Sequence, residues 1–183
     1  MSSDNNSNLI QWLERTEEYA LPTWDILPSI PLYMDQIIMF TGETLDLFEN
    51  SEKQPLLTSS MINNYVKNGL VEHPVHKKYS KEHLSKLIMT SMLKQVLSIQ
   101  DIGILFGENK DAKQLYEIFT AAQDTALHET VSAIDTQADS ETLRVAALKL
   151  AAEANARRAV AERILIELAN PEAEHKGKKA SKK

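Results

Sequence analysis

Beyond residue 56 this chain carries almost nothing that would stop a helix. It has six prolines, and four of them, Pro22, Pro28, Pro31 and Pro55, fall before that point; glycines number only five in 183 residues. Proline lacks a backbone donor and clashes with the preceding turn, and glycine loses extra entropy on ordering, so their scarcity leaves room for long helices. No segment alternates apolar and polar residues at period two over six or more β-branched or aromatic positions. The expected fold is therefore all-α, with at most a tiny β element.

Helical periodicity and capping residues divide the chain. Residues 1–19 read as a polar start and a short amphipathic helix from Ser7 to about Glu18. In Leu21-Pro-Thr-Trp-Asp-Ile-Leu-Pro28 two prolines force an extended path, with Trp24, Ile26 and Leu27 as anchors. Ser29 is positioned to cap the next helix, with Pro31 in its first turn, and Met34, Ile37, Ile38, Thr41, Leu45 and Phe48 recur at three and four. Gly42 inside that stripe points to a close helix contact. A polar loop, Asn50 to Pro55, precedes a short helix that Thr58 caps and Gly69 ends. Val71 to Tyr79 leaves room only for a turn or a two-stranded wing. Ser80 caps a helix through Leu97 that is apolar on most sides, and Ser98 with Asp101 starts another that buries Ile102, Leu105 and Phe106.

The first domain thus spans residues 20–108, and residues 109–170 form a two-helix arm. Its first helix runs from Asp111 to about Ala133, with Leu115, Ile118, Phe119, Ala122, Ala126 and Val131 as its stripe. Asp139 or Ser140 caps the second, whose stripe is Leu143, Ala147, Leu150, Ala154, Ala161, Leu165 and Leu168. Lys149–Glu153, Glu153–Arg157, Arg158–Glu162 and Arg163–Glu167 sit four apart, as ion pairs along an exposed helix do. Residues 171–183 are a lysine-rich tail expected to be disordered.

Charge is distributed unevenly. Residues 1–57 hold ten acids and two bases, net −8, and residues 98–170 hold twelve acids and seven bases, net −5. Between them, residues 58–97 hold two acids and six lysines, net +4, an island that the overall −6 conceals. Such an island is the electrostatic footprint of a polyanion partner, or a solvated lysine-bearing face. Cysteine is absent, which removes disulfides, thiolate metal sites and thiol nucleophiles and suits a reducing cytoplasm. Met1 to Leu9 lack the basic and apolar regions of a signal peptide, and no apolar run approaches a bilayer span. The expected localisation is cytoplasmic, without membrane association. Phosphate loops, a G-x-S-x-G elbow and an H-E-x-x-H helix are missing, so no enzyme activity and no cofactor are expected. His73, His76 and His83 lack a carboxylate pattern to complete a metal shell, and no metal site is assigned.

The segment Met61-Ile-Asn-Asn-Tyr-Val-Lys-Asn-Gly-Leu70 concentrates the functional argument. On a helix, Ile62, Tyr65 and Val66 share one face and Leu70 closes the core beyond the glycine. The opposite face carries Ser60, Asn63, Asn64 and Lys67. Asparagine can bond bidentately to adenine and lysine can neutralise phosphate, so that face suits a major groove. Lys77 and Lys78 then lie at a turn tip between His76 and Tyr79, with Lys81 just beyond, as a wing gripping a phosphate backbone requires.

These residues carry a resemblance. Ile62, Tyr65, Lys67, Gly69 and Leu70, then Tyr79-Ser-Lys-Glu-His-Leu84, then Leu97-Ser-Ile-Gln-Asp-Ile102, resemble the recognition helix, wing exit and following helices of mercury-resistance-regulator (MerR) type winged helix-turn-helix domains. With Leu21-Pro-Thr-Trp-Asp-Ile-Leu-Pro28 and Leu32-Tyr-Met-Asp-Gln36 in front, the chain also resembles an uncharacterised bacterial domain-of-unknown-function family that carries both segments. The resemblance covers about residues 20–108. It implies a winged helix-turn-helix followed by a helical arm, acting as a sequence-specific transcriptional regulator on double-stranded DNA through Ser60, Asn63, Asn64, Lys67, Lys77, Lys78 and Lys81. It also implies a homodimer through the C-terminal helices. The last helix outreaches its neighbour by roughly 10 Å at 1.5 Å per residue, which leaves Ile164 to Leu168 for a second protomer. The alternative is a protein-interaction module that uses a helix-turn-helix scaffold without DNA.

Overall fold

The computed structural model describes residues 7–49, 55–107 and 111–170. The chain is mostly helical in these residues. Its helices are α1 (Ser7–Glu17), α2 (Met34–Leu45), α3 (Ser59–Lys67), α4 (Lys81–Leu93), α5 (Ile99–Phe106), α6 (Ala112–Ser132) and α7 (Ser140–Ala169). Strands β1 (Leu32–Tyr33) and β2 (Lys78–Tyr79) pair antiparallel, Leu32 opposite Tyr79 and Tyr33 opposite Lys78. Most of the Asn50–Pro55 loop, the first six residues and the tail from Pro171 lie outside the described residues. Among the described residues, no helix is long and apolar enough to cross a membrane.

The helix starts follow the side chains that can accept an orphan backbone N–H. Thr58 Oγ1 accepts from Met61 N at 3.3 Å, Ser98 Oγ from Asp101 N at 3.1 Å, Asp111 from Lys113 N at 2.9 Å and Asp139 from Thr142 N at 2.8 Å. Two boundaries differ from expectation. Residues 32–33 are drawn into the sheet, so Ser29 and Pro31 stay outside α2, which begins at Met34 with Tyr33 N donating to Gln36 Oε1 at 2.9 Å. Helix α4 stops at Leu93 rather than Leu97, because the backbone tightens into three-residue turns, Gln95 N to Met92 O and Val96 N to Leu93 O.

Helix α4 is the centre of the core. Its Leu84, Leu87, Ile88 and Met89 are buried among Ile37 and Leu45 of α2, Ile62 and Tyr65 of α3, Ile102 and Phe106 of α5 and Tyr116 of α6. Each such side chain contributes about 1.5–3 kcal/mol on burial. Helix α6 therefore belongs to the same packed body as α4, and Tyr116 ties it to the N-terminal brace. The Tyr116 hydroxyl donates to Pro22 O at 2.9 Å and its ring meets Trp24 edge-on, 6.1 Å between centroids. Helix α1 is pinned beside it, with Trp12 Nε1 donating to Leu47 O at 3.1 Å and Arg15 paired to Asp46 at 2.6 Å.

Three apolar assignments change with the tertiary packing. Leu27 is buried, but Ile26 faces solvent at 71% exposure because the 3-10 turn Trp24–Ile26 rotates it away from the core. On α6 the residues turned inward are Tyr116 and Thr120, and Ile118 is 61% exposed. Nothing lies within 4 Å of the place a Cβ would occupy on Gly42, so no close helix contact explains that glycine.

Helix α7 packs against α5 near its C-terminal end, where Leu165 is its one buried residue. Leu165 thus covers part of the stretch expected to stand bare. Three of the four expected ion pairs form along the helix: Arg157 with Glu153, Arg158 with Glu162 and Arg163 with Glu167. The expected stripe is not closed over. Ala147, Leu150, Ala154 and Leu168 are exposed, as are Val145, Leu148, Val160, Ile164 and Ile166 at other angles of the helix. A groove of about 420 Å³, lined among others by Ala126, Ile134, Val145 and Leu150, separates the end of α6 from the start of α7.

Candidate nucleic-acid interface

Helix α3 has two distinct faces. Ile62 and Tyr65 point into the core, and Ser60, Asn63, Asn64 and Lys67 are exposed. Its C-terminus closes on a Schellman arrangement: Gly69 at φ 70°, Gly69 N donating to Val66 O at 3.1 Å and Leu70 N to Tyr65 O at 2.9 Å. Leu70 then drops into the core beside Tyr65, which fixes the rotation of α3 about its axis. The start of the helix is tethered by Lys94, whose Nζ donates to Leu56 O at 2.6 Å and touches Met61 Sδ at 3.2 Å. Burial pushes the Lys94 ammonium below the ordinary lysine range. The two asparagines differ in freedom. Asn64 Oδ1 accepts from Asn68 Nδ2 at 3.0 Å, and Asn63 sits one residue back on the exposed face.

The wing segment folds as a two-residue hairpin. Val75 N donates to Lys78 O at 3.1 Å and Lys78 N to Val75 O at 3.0 Å, with His76 at φ 50° and Lys77 at φ 63° between them. Two successive residues at positive φ make a type I′ turn, whose twist matches the flanking strands. The usual occupants are Asn-Gly; here a histidine and a lysine hold that conformation, which costs each of order 1–2 kcal/mol. Lys77 stands exposed at the tip. Lys78 belongs to β2, which bonds to β1 on its other side.

The six lysines of the basic island do not act as one patch. Lys78 Nζ lies 5.0 Å from the centroid of the Tyr33 ring. Lys81 Nζ donates to Trp24 O at 3.0 Å and sits 5.5 Å from the centroid of that ring, so its half-buried ammonium is spent on the brace. Lys86 pairs with Glu72 at 2.5 Å. Burial, the largest single influence, would raise the Glu72 carboxyl, but the Lys86 hydrogen bond, a backbone hydrogen bond and the nearby Lys86 and His83 charges together hold the group below the usual carboxylate range. With Lys94 holding Leu56, four of the six are engaged within the fold, and Lys67 and Lys77 remain as its exposed lysines. Counting charges along the chain could not reveal this, because the aromatic and carbonyl partners lie tens of residues away.

His73 and His76 are exposed, and His83 is buried with its Nδ1 accepting from Ser80 N at 3.0 Å and its ring edge-on to Tyr79. Among the described residues, no group of three His, Cys, Asp or Glu side chains is placed to hold a metal ion. No curated protein and no solved structure matches the chain. A family model does match it, over residues 22–122, a span that runs from the proline brace into α6 and exceeds half of the chain. The chain belongs to the family described as Domain of unknown function (DUF1836).

Proposed function

We propose that residues 20–108 form a MerR-like winged helix-turn-helix and that the chain is a sequence-specific transcriptional regulator bound to duplex DNA. In this reading α3 enters the major groove and the hairpin at residues 75–78 grips the backbone. The observation that carries it is the division of α3. Ile62, Tyr65 and Leu70 are buried in the core on one side, and Ser60, Asn63, Asn64 and Lys67 are left exposed on the other. A lysine held at a strained hairpin tip supports the second contact, since strained positions cluster at functional sites. Asn63 is the base reader, because the amide oxygen of Asn64 is already taken by Asn68.

The same reading makes the protein a homodimer through α7. A helix of 30 residues, about 45 Å long, keeps only Leu165 buried and exposes apolar side chains on several sides. Soluble chains rarely leave such a surface uncovered. Leu148→Glu, at a position 70% exposed, leaves the protomer folded and shifts sedimentation equilibrium from dimer to monomer. A wild-type monomer at tens of micromolar refutes the dimer.

Fluorescence anisotropy on mixed-sequence DNA tests the DNA reading. Two phosphate contacts per protomer, from the exposed Lys67 and Lys77, give a dimer a log–log salt slope of about −3.6, at about 0.9 per phosphate. A chain ending at Asn170 must behave alike, since the tail brings five lysines of its own. On a preferred site selected from a random pool, Asn63→Ala costs about 1–3 kcal/mol and leaves random-DNA binding unchanged. The engagement of four lysines within the fold favours the second reading, a protein-interaction module on the same scaffold. Absence of binding at low salt would decide for it.

A further inference from the structure

We propose, on the reading that α3 enters the major groove, that Asn68 fixes the amide of Asn64 and so gives α3 two different base readers. Asn63 takes adenine, and Asn64, offering hydrogen-bond donors only, takes guanine on a neighbouring base pair. Asn68 caps the C-terminus of α3, and its Nδ2 donates to Asn64 O at 2.8 Å and to Asn64 Oδ1 at 3.0 Å. The first contact sets the orientation of both amides. A backbone carbonyl only accepts, so the Asn68 atom beside it is the nitrogen. That nitrogen only donates, so Asn64 turns its oxygen toward Asn68, and its own NH2 group is the half of the amide that Asn68 does not hold.

Asn68 is itself fixed in place. Its backbone N–H donates to the same Asn64 carbonyl at 3.0 Å, and Gly69 at φ 70° and the buried Leu70 follow it directly. The side chain therefore reaches back one turn from an anchored backbone. Asn63, Asn64 and Asn68 are all exposed. In a groove that excludes water, breaking the Asn68–Asn64 bond would leave buried donors unsatisfied, which keeps the pair together on docking. Guanine presents two acceptors there, O6 and N7, adenine an acceptor beside a donor, and cytosine a donor. A whole amide matches adenine, oxygen to N6 and nitrogen to N7. With its accepting half held by Asn68, the Asn64 amide matches guanine, reaches adenine through N7 alone and opposes cytosine donor to donor. Successive helical residues stand about 100° apart around the axis, so the two asparagines address different base pairs.

The test is selection of bound duplexes from a random pool, then anisotropy titration of the selected site with each base pair exchanged in turn, using the full chain, Asn64→Ala and Asn68→Ala. In the wild type, one position prefers guanine over adenine by about fivefold or more, and Asn64→Ala removes that preference. Asn68→Ala frees the Asn64 oxygen, so adenine at that position binds as well as guanine, and the adenine read by Asn63 is unaffected. A role for Asn68 as a helix cap alone weakens every sequence equally and leaves the preference intact, and that result overturns the proposal. So does a selected site with no position at which Asn64→Ala alters the choice between guanine and adenine. Either of these leaves the DNA reading standing, whereas absence of any DNA binding at low salt removes that reading and the assignment of Asn64 together.

Discussion

Lys77→Gly separates what the hairpin tip costs the fold from what it does. Lys77 sits at φ 63° as the second residue of the turn closed by Val75 and Lys78. A left-handed conformation costs a non-glycine residue roughly 1–2 kcal/mol. Glycine removes that cost and adds back about 0.5–1 kcal/mol of unfolded-state entropy. The net expectation is a stabilisation of about 0.5–1 kcal/mol, which for a chain of this size raises Tm by about 1–4 °C. Lys77→Ala keeps the strain and loses the charge, so its stability stays at or below that of the wild type. Both variants lose one phosphate contact per protomer, and the salt slope of a dimer becomes shallower by about 2. Urea titration and calorimetry read the first effect, and anisotropy against salt reads the second. A Lys77→Gly protein less stable than Lys77→Ala would refute the strain argument. An unchanged salt slope in both would remove Lys77 from the interface.

Gly42→Ala raises the urea midpoint by the equivalent of about 1 kcal/mol, because a Cβ there meets nothing within 4 Å; a lowered midpoint would reveal a contact this packing does not contain. Lys94→Met lowers stability by about 1 kcal/mol by leaving the Leu56 carbonyl without its donor, and hydrogen exchange at the start of α3 accelerates; unaltered exchange would show that the tether does not hold that helix. Burial first, then nearby acidic groups including Asp124, raises the phenols of Tyr19 and Tyr116 above their ordinary 10.0. Both are protonated in either state below pH 10, and above it the unfolded chain ionises first, so stability falls as pH rises. Urea midpoints taken on either side of pH 10 check this, and Tyr116→Phe flattens the fall.

The local instructions of this fold were legible because they act within a few residues. Thr58, Ser98, Asp111 and Asp139 cap helices where a side-chain oxygen precedes an apolar periodic run, and Gly69 ends α3 because only glycine takes its φ without strain. The separation of Ile62 and Tyr65 from Asn63, Asn64 and Lys67 follows from the 3.6-residue period alone. A short proline-bounded segment, by contrast, cannot announce that residues 32–33 will pair with residues 78–79. That decision belongs to the sheet, and it moved the start of α2.

Tertiary structure alone decided where the charges went and which apolar faces were covered. The +4 of residues 58–97 is a property of the chain, but Lys78, Lys81, Lys86 and Lys94 found Tyr33, Trp24, Glu72 and Leu56, and only packing could bring those partners within bonding distance. Helices α6 and α7 carry similar apolar periodicity, and the sequence paired them as one arm. In the folded chain Tyr116 draws α6 onto α4, and α7 keeps little more than Leu165 against α5. Periodicity determines that a face is apolar; shape and distance between elements determine what covers it.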